Sequence, residues 1–215
     1  MTTRTPIRVL HLRDSPWIDG PGRTILETAT HIDRARIDYH IAPLVPDDGA
    51  QHPLVVAARE RGVPVQPVHD PGDSLAALTG RVVELIDRLG IEILHSSEFR
   101  TNLVALRCRK LRPGLKLIST AHGWIANDLR GKLKSFLDRV LLRRFDRVIV
   151  VSHAVRRRLP RWWVPDAHVC VIHNALALDS YGRGIRTTER QAPRADRHIE
   201  LLAVGRLSPE KGLDL

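Results

Sequence analysis

The sequence predicts an α/β protein built on a doubly wound, parallel, Rossmann-like sheet. Two observations lead there. Short β-rich runs alternate with helix-length stretches along most of the chain, and parallel strands require connections of about that length. The strand runs are also nearly continuous in apolar residues, the pattern of strands covered by helices on both faces.

The first strand is expected at residues 7–12, IRVLHL, followed by a glycine turn, DGPGR at 19–23, and a helix over 24–32. A second strand at 39–45 leads to a helix at 53–62, and a third strand is expected at 63–68, VPVQPV. The helix over 74–90 is the clearest: Leu75, Leu78, Val82, Leu85, Ile86 and Leu89 make one stripe, Ser74 suits the N-cap and Gly90 the end. Strands at 91–95, 115–120, 146–152 and 168–173 then alternate with helices at 101–111 and 131–145. Residues 179–197 are polar and charge-rich without a period, and read as a linker. After it an apolar run, HIELLAV at 198–204, precedes a basic turn and Ser208-Pro209, which suit a strand and a helix start. The expected organisation is therefore a domain at 1–178, a linker at 179–197, and the first strand and turn of a second domain at 198–215. No internal repeat of fixed period is present.

Composition narrows the classes. Of 215 residues, 43% are hydrophobic and 27% charged, enough apolar material for a sizeable core. No apolar run of about 18 residues occurs, which argues against a bilayer span, and the N-terminus lacks a signal-peptide pattern; the expected location is cytoplasmic. Cys108 and Cys170 both lie in apolar segments and read as buried thiols rather than a disulfide or metal pair. The net charge of +10 favours anionic partners such as nucleotides, phospholipid surfaces or nucleic acid. Nucleic acid is disfavoured, because aromatic content is 4% and no DNA- or RNA-reading motif is present.

Doubly wound sheets bind ligands at the carboxyl ends of their strands. There the chain places the 19–23 glycine turn, His95 before a polar turn, and His122 in STAHGW at 119–124. Glycines let backbone N–H groups approach an anion, and a loop histidine can bond a substrate hydroxyl. No zinc or calcium ligand spacing, P-loop, nucleophile elbow or G-x-G-x-x-G fingerprint is found.

Taken in order, DGPGR at 19–23, LHSSEFRTNLVAL at 94–106, ISTAHGW at 118–124, RVIVVSHAVRRRL at 147–159, VIHNAL at 171–176 and GRLSPEKG at 205–212 resemble glycosyltransferase family 4 of the GT-B fold. The resemblance implies a retaining transfer of a sugar from a nucleotide diphosphate donor to an acceptor hydroxyl, in a cleft between two domains and without a metal or other cofactor. It implies that Arg206 and Lys211 clamp the donor diphosphate, that Gly20 lets the first loop approach it, and that His122 lies near the sugar or the acceptor. His95, Ser152 and Asn174 fall at cleft positions, although Ser152 equally suits a helix cap. The chain departs from the family pattern at Asp19 and Gly22, where a glycine and an acidic residue are usual, and at Ala175, which replaces a glycine. The family's second-domain glutamate pair would lie beyond Leu215, so residues 1–215 are expected to fold without turning over alone.

Expected partners are a nucleotide sugar and a sugar, lipid-linked or glycan acceptor, in polysaccharide or glycolipid biosynthesis. The basic and apolar residues of 130–147, with RRRLPRWW at 156–163, suit either a core-facing helix with a solvated basic face or a peripheral surface on the inner face of the membrane. The competing reading is a non-catalytic module that grips a nucleotide or a partner protein.

Overall fold

The computed structural model describes residues 5–124 and 128–175, which belong to one compact unit, Met1–Leu176. The expected linker at 179–197, the strand at 198–204, and Arg206 and Lys211 lie outside the described residues.

Seven strands pair in parallel: β1 (Ile7–Arg13), β2 (Ile37–Val45), β3 (Val68–His69), β4 (Ile93–Ser96), β5 (Lys116–Ala121), β6 (Arg147–Val150) and β7 (Val169–Val171), in the order β3-β2-β1-β4-β5-β6-β7. The crossovers carry α1 (Gly20–His31), α2 (Pro53–Glu60), α3 (Leu75–Leu89), α4 (Phe99–Leu111), α5 (Leu129–Leu142) and α6 (His153–Arg157). The doubly wound sheet expected from the alternation is the sheet observed.

Period-2 alternation sorts the strand residues onto two cores. Leu10, Leu12, Leu94, Leu117, Val148 and Val150 face the core built by α3, α4 and the end of α5. Val9, Tyr39 and Ile41 face the other, built by α1 and α2. The helix α3 follows its sequence pattern closely: the Ser74 hydroxyl accepts from the Ala77 amide, and Gly90 ends the helix at φ 60°, with the Arg8 guanidinium seated where a β-carbon would stand.

Two expectations are corrected. The third strand is only two residues long, with one isolated bridge between Ile41 and Val65 before it; Pro64 and Pro67 remove the amides that a ladder over 63–68 needs. Cys170 is exposed, whereas Cys108 is fully buried. Among the described residues β7 is an edge strand that pairs only with β6, and the alternation that turns Val169 and Val171 toward the core turns Cys170 away.

Candidate functional site

The strand order reverses between β1 and β4, and the connections that leave them run to opposite faces, α1 to one and α4 to the other. Such a reversal holds a crevice open at the carboxyl edge. Here it is an open cleft of about 400 Å³, bounded by Arg13, Asp19, Glu98, His122, Lys134 and Asp138 among others.

Arg13 closes β1 with its side chain only 4% exposed, held between two carboxylates. One terminal nitrogen donates to both oxygens of Asp19, at 2.7 and 2.8 Å, and the other pairs with Glu98. Burial draws the guanidinium pKa down, and Asp19 works against that shift. Asp19 also caps α1, accepting from the Gly22 amide at 3.0 Å. The aspartate that departs from the family's glycine thus fixes the start of α1 and orders Arg13. Gly22 lies tight against it, since a β-carbon there would come within 3.3 Å of the Asp19 carboxylate. Gly20, in the first turn of α1, would meet nothing within 4 Å, so its backbone borders open space at a helix N-terminus, where partial positive charge gathers.

Three histidines stand side by side at this edge. His11 and His95 are stacked, with ring centroids 3.9 Å apart. The His11 ring is held by the Tyr39 hydroxyl, 2.5 Å from Nδ1, and by the Ser97 hydroxyl, 2.9 Å from Nε2; His95 Nε2 lies 2.8 Å from the Thr120 hydroxyl. His95 lies near the end of β4, within the strand expected at 91–95, and its ring is engaged by its neighbours. His122 follows β5, in a turn that Gly123 closes at φ 120°, and its Nδ1 is buried without a hydrogen-bond partner among the described residues. Burial lowers the pKa of all three, His95 to about 3 and His122 to about 4, and mutual repulsion or Arg13 adds to the shift. All three are neutral at physiological pH, able to donate and accept hydrogen bonds but not to supply charge.

A buried amide organises the far wall. Asn102 of α4 accepts from the Ser96 and Ser119 hydroxyls at 2.6 and 2.9 Å and donates to Asp138 at 2.7 Å. The Trp124 indole donates to the other oxygen of Asp138 at 2.8 Å. Burial raises the Asp138 pKa, and these two donors oppose the shift.

A second, narrower hollow of about 190 Å³ lies on the α1 side, bounded by His11, Tyr39, His95, His122, His173 and Asn174 among others. His122 borders both cavities and is where they meet. His95 and Asn174 reach only the second. Ser152 borders neither; its hydroxyl caps α6, accepting from the Val155 amide at 3.1 Å. Among the described residues, no group of three or more His, Cys, Asp or Glu side chains could hold a metal ion. The sequence reading missed His11, Arg13, Glu98 and Asp138. A signal existed for the first two: Val9, His11 and Arg13 share one face of an apolar strand, so two polar side chains were bound for burial.

The family model for Glycosyltransferase Family 4 matches residues 18–180. No curated protein matches the chain. Among solved structures, HepE of Anabaena in complex with UDP-glucose is 16% identical with a TM-score of 0.65, over 81% of this chain and 46% of that one. The lipopolysaccharide outer core galactosyltransferase WaaB is 8% identical with a TM-score of 0.58, over 80% and 46%. A UDP-GlcNAc 2-epimerase from Neisseria meningitidis, bound to UDP-GlcNAc, is 11% identical with a TM-score of 0.60, over 84% and 52%. The chain spans about half the length of these structures, and at such identities the likeness is one of fold.

Proposed function

Because the chain belongs to glycosyltransferase family 4, we propose that it serves the retaining transfer of a sugar from a nucleoside diphosphate sugar to an acceptor hydroxyl on a glycan or glycolipid precursor. In that reaction the bond from the anomeric carbon to the diphosphate oxygen breaks as the bond to the acceptor oxygen forms. The acceptor's proton leaves with the diphosphate or to water. Neutral His122 is the group placed to position a sugar hydroxyl, since charge there would oppose Arg13 in a buried setting. Gly20 and the N-terminus of α1 would face the diphosphate from one side. The resemblance assigns a bidentate grip on the same diphosphate to Arg206 and a point charge to Lys211, both outside the described residues. The carboxylates of Glu98 and Asp138 on the cleft wall suit the hydroxyls of an acceptor sugar.

The single observation that carries this reading is the buried Nδ1 of His122, without a hydrogen-bond partner among the described residues, at the meeting point of two cavities. A buried polar atom left open is costly unless a ligand satisfies it. Calorimetric titration with a panel of nucleoside diphosphate sugars tests it. One member should bind, about tenfold more weakly to His122→Ala and about ten- to a hundredfold more weakly to Arg206→Ala. A chain that binds none of them, or variants that bind as the wild type does, would overturn the proposal.

A further inference from the structure

The reaction above leaves the outer face of α5 without a role. A helix packed on a sheet normally turns its apolar side inward. In α5 the only buried residue is Leu142, while Gly131, Ser135 and Asp138 look into the cleft. Leu129, Leu133, Phe136 and Leu137 follow the helical spacing i, i+4, i+7, i+8 on the opposite side and are 82%, 59%, 44% and 41% exposed. The surface continues beyond the helix. Trp163 meets Phe136 edge-on at 5.2 Å, and Trp162, 77% exposed, meets Trp163 at 4.9 Å. The last turn of the helix faces the core through Leu141 and Leu142, while the leucines of its first ten residues take the outer side.

We propose that this face docks on an anionic lipid bilayer, with the α5 stripe and Trp162 entering the interface and basic side chains meeting lipid phosphates around them. Charge complementarity selects that occupant. Arg130, Lys132, Arg143 and Arg157 are exposed and make no ion pair among the described residues. A second copy of the chain would bring those cations against their own counterparts. A bilayer rich in phosphate offers apolar depth and opposite charge together, and the net charge of +10 draws the whole chain the same way. Because the inner side of α5 lines the cleft, docking would hold that cleft at the headgroup layer and present a lipid-borne acceptor to it. That last step rests on the sugar-transfer reading; adsorption to the bilayer does not.

The test is vesicle flotation of the full chain, with tryptophan emission followed in parallel. Vesicles of phosphatidylglycerol mixed with phosphatidylcholine should bind it, and phosphatidylcholine alone should not; added salt should release it. The double variant Leu129→Ser/Leu133→Ser and the single variant Trp162→Ser should each bind about tenfold more weakly or worse. Arg130→Glu should bind roughly fivefold more weakly or worse. All should melt at the wild-type temperature, since the residues are exposed. Absent or salt-insensitive binding, or binding untouched by these changes, overturns the proposal. So does a concentration-dependent dimer that the leucine variant dissolves. Because vesicle binding requires no donor, failure here leaves the titration with nucleoside diphosphate sugars untouched, and the reverse also holds.

Discussion

Lowering the pH from 7 to 5 should remove a large part of the stability of this domain, through the histidines at the carboxyl edge. His11 faces Tyr39, Ser97, His95 and Arg13, and no carboxylate bonds its ring. Its pKa and that of His95 lie well below the unfolded value of 6.5, so the folded chain binds fewer protons than the unfolded chain. Stability is then complete above 6.5 and falls with pH until the folded-state values, about 3 for His95 and about 4 for His122, are reached. Each imidazole that stays neutral at pH 5 contributes a loss of about 2 kcal/mol, one and a half pKa units at about 1.4 kcal/mol each. His95 gives about 2 kcal/mol and the less buried His122 somewhat less than another 2, out of roughly 5–15 kcal/mol for an ordinary domain; His11, lowered by burial, adds to the loss in the same direction. Asp138 acts in the opposite direction, because burial favours its protonated form, and offsets part of the loss. The paired carboxylates Asp73, Asp87 and Asp166, whose values are depressed, lose their contribution only below 3.8. Urea unfolding at both pH values measures the difference. His95→Gln, which keeps an amide for Thr120 but cannot take up a proton, should show a pH dependence about 2 kcal/mol smaller than the wild type. Equal stability at pH 7 and 5, or an unchanged pH dependence in His95→Gln, would refute the reasoning.

Three further outcomes are expected. Arg13→Met should destabilise the domain by about 2–4 kcal/mol in urea, because it leaves Asp19 and Glu98 facing each other without their shared cation. Asn102→Leu should cost about 3 kcal/mol and raise the Asp138 pKa further, measurable by carboxyl NMR, since it deletes one of the two donors that hold it down. A thiol-directed maleimide should label Cys170 in the native chain and spare Cys108, whose thiol is fully buried and pushed up to about 12; double labelling would contradict the packing of α4.

The alternation of strands and helices was legible in the sequence because it depends on local pattern: continuous apolar strands, and an α3 stripe closed by Ser74 and Gly90. What failed was set by context. Pro64 and Pro67 cut the third strand short, and only the position of β7 at the sheet edge decided that Cys170 would be exposed. The site was readable where a residue stood in a turn, as with His122. His95, near the end of β4, was also named, but His11, Arg13 and Asp138 were not, because they meet their partners only after β1, β4, β5 and α5 have assembled. The orientation of α5 was undetermined for the same reason, since its apolar and basic residues fit two opposite faces until a neighbour is fixed.

The reversal of strand order between β1 and β4 has a consequence for how such proteins diverge. Where a groove opens is dictated by chain routing, before any particular side chain is chosen. The fold can therefore offer a groove at this edge whichever side chains line it. Structures sharing about one residue in six or fewer with this chain keep its fold.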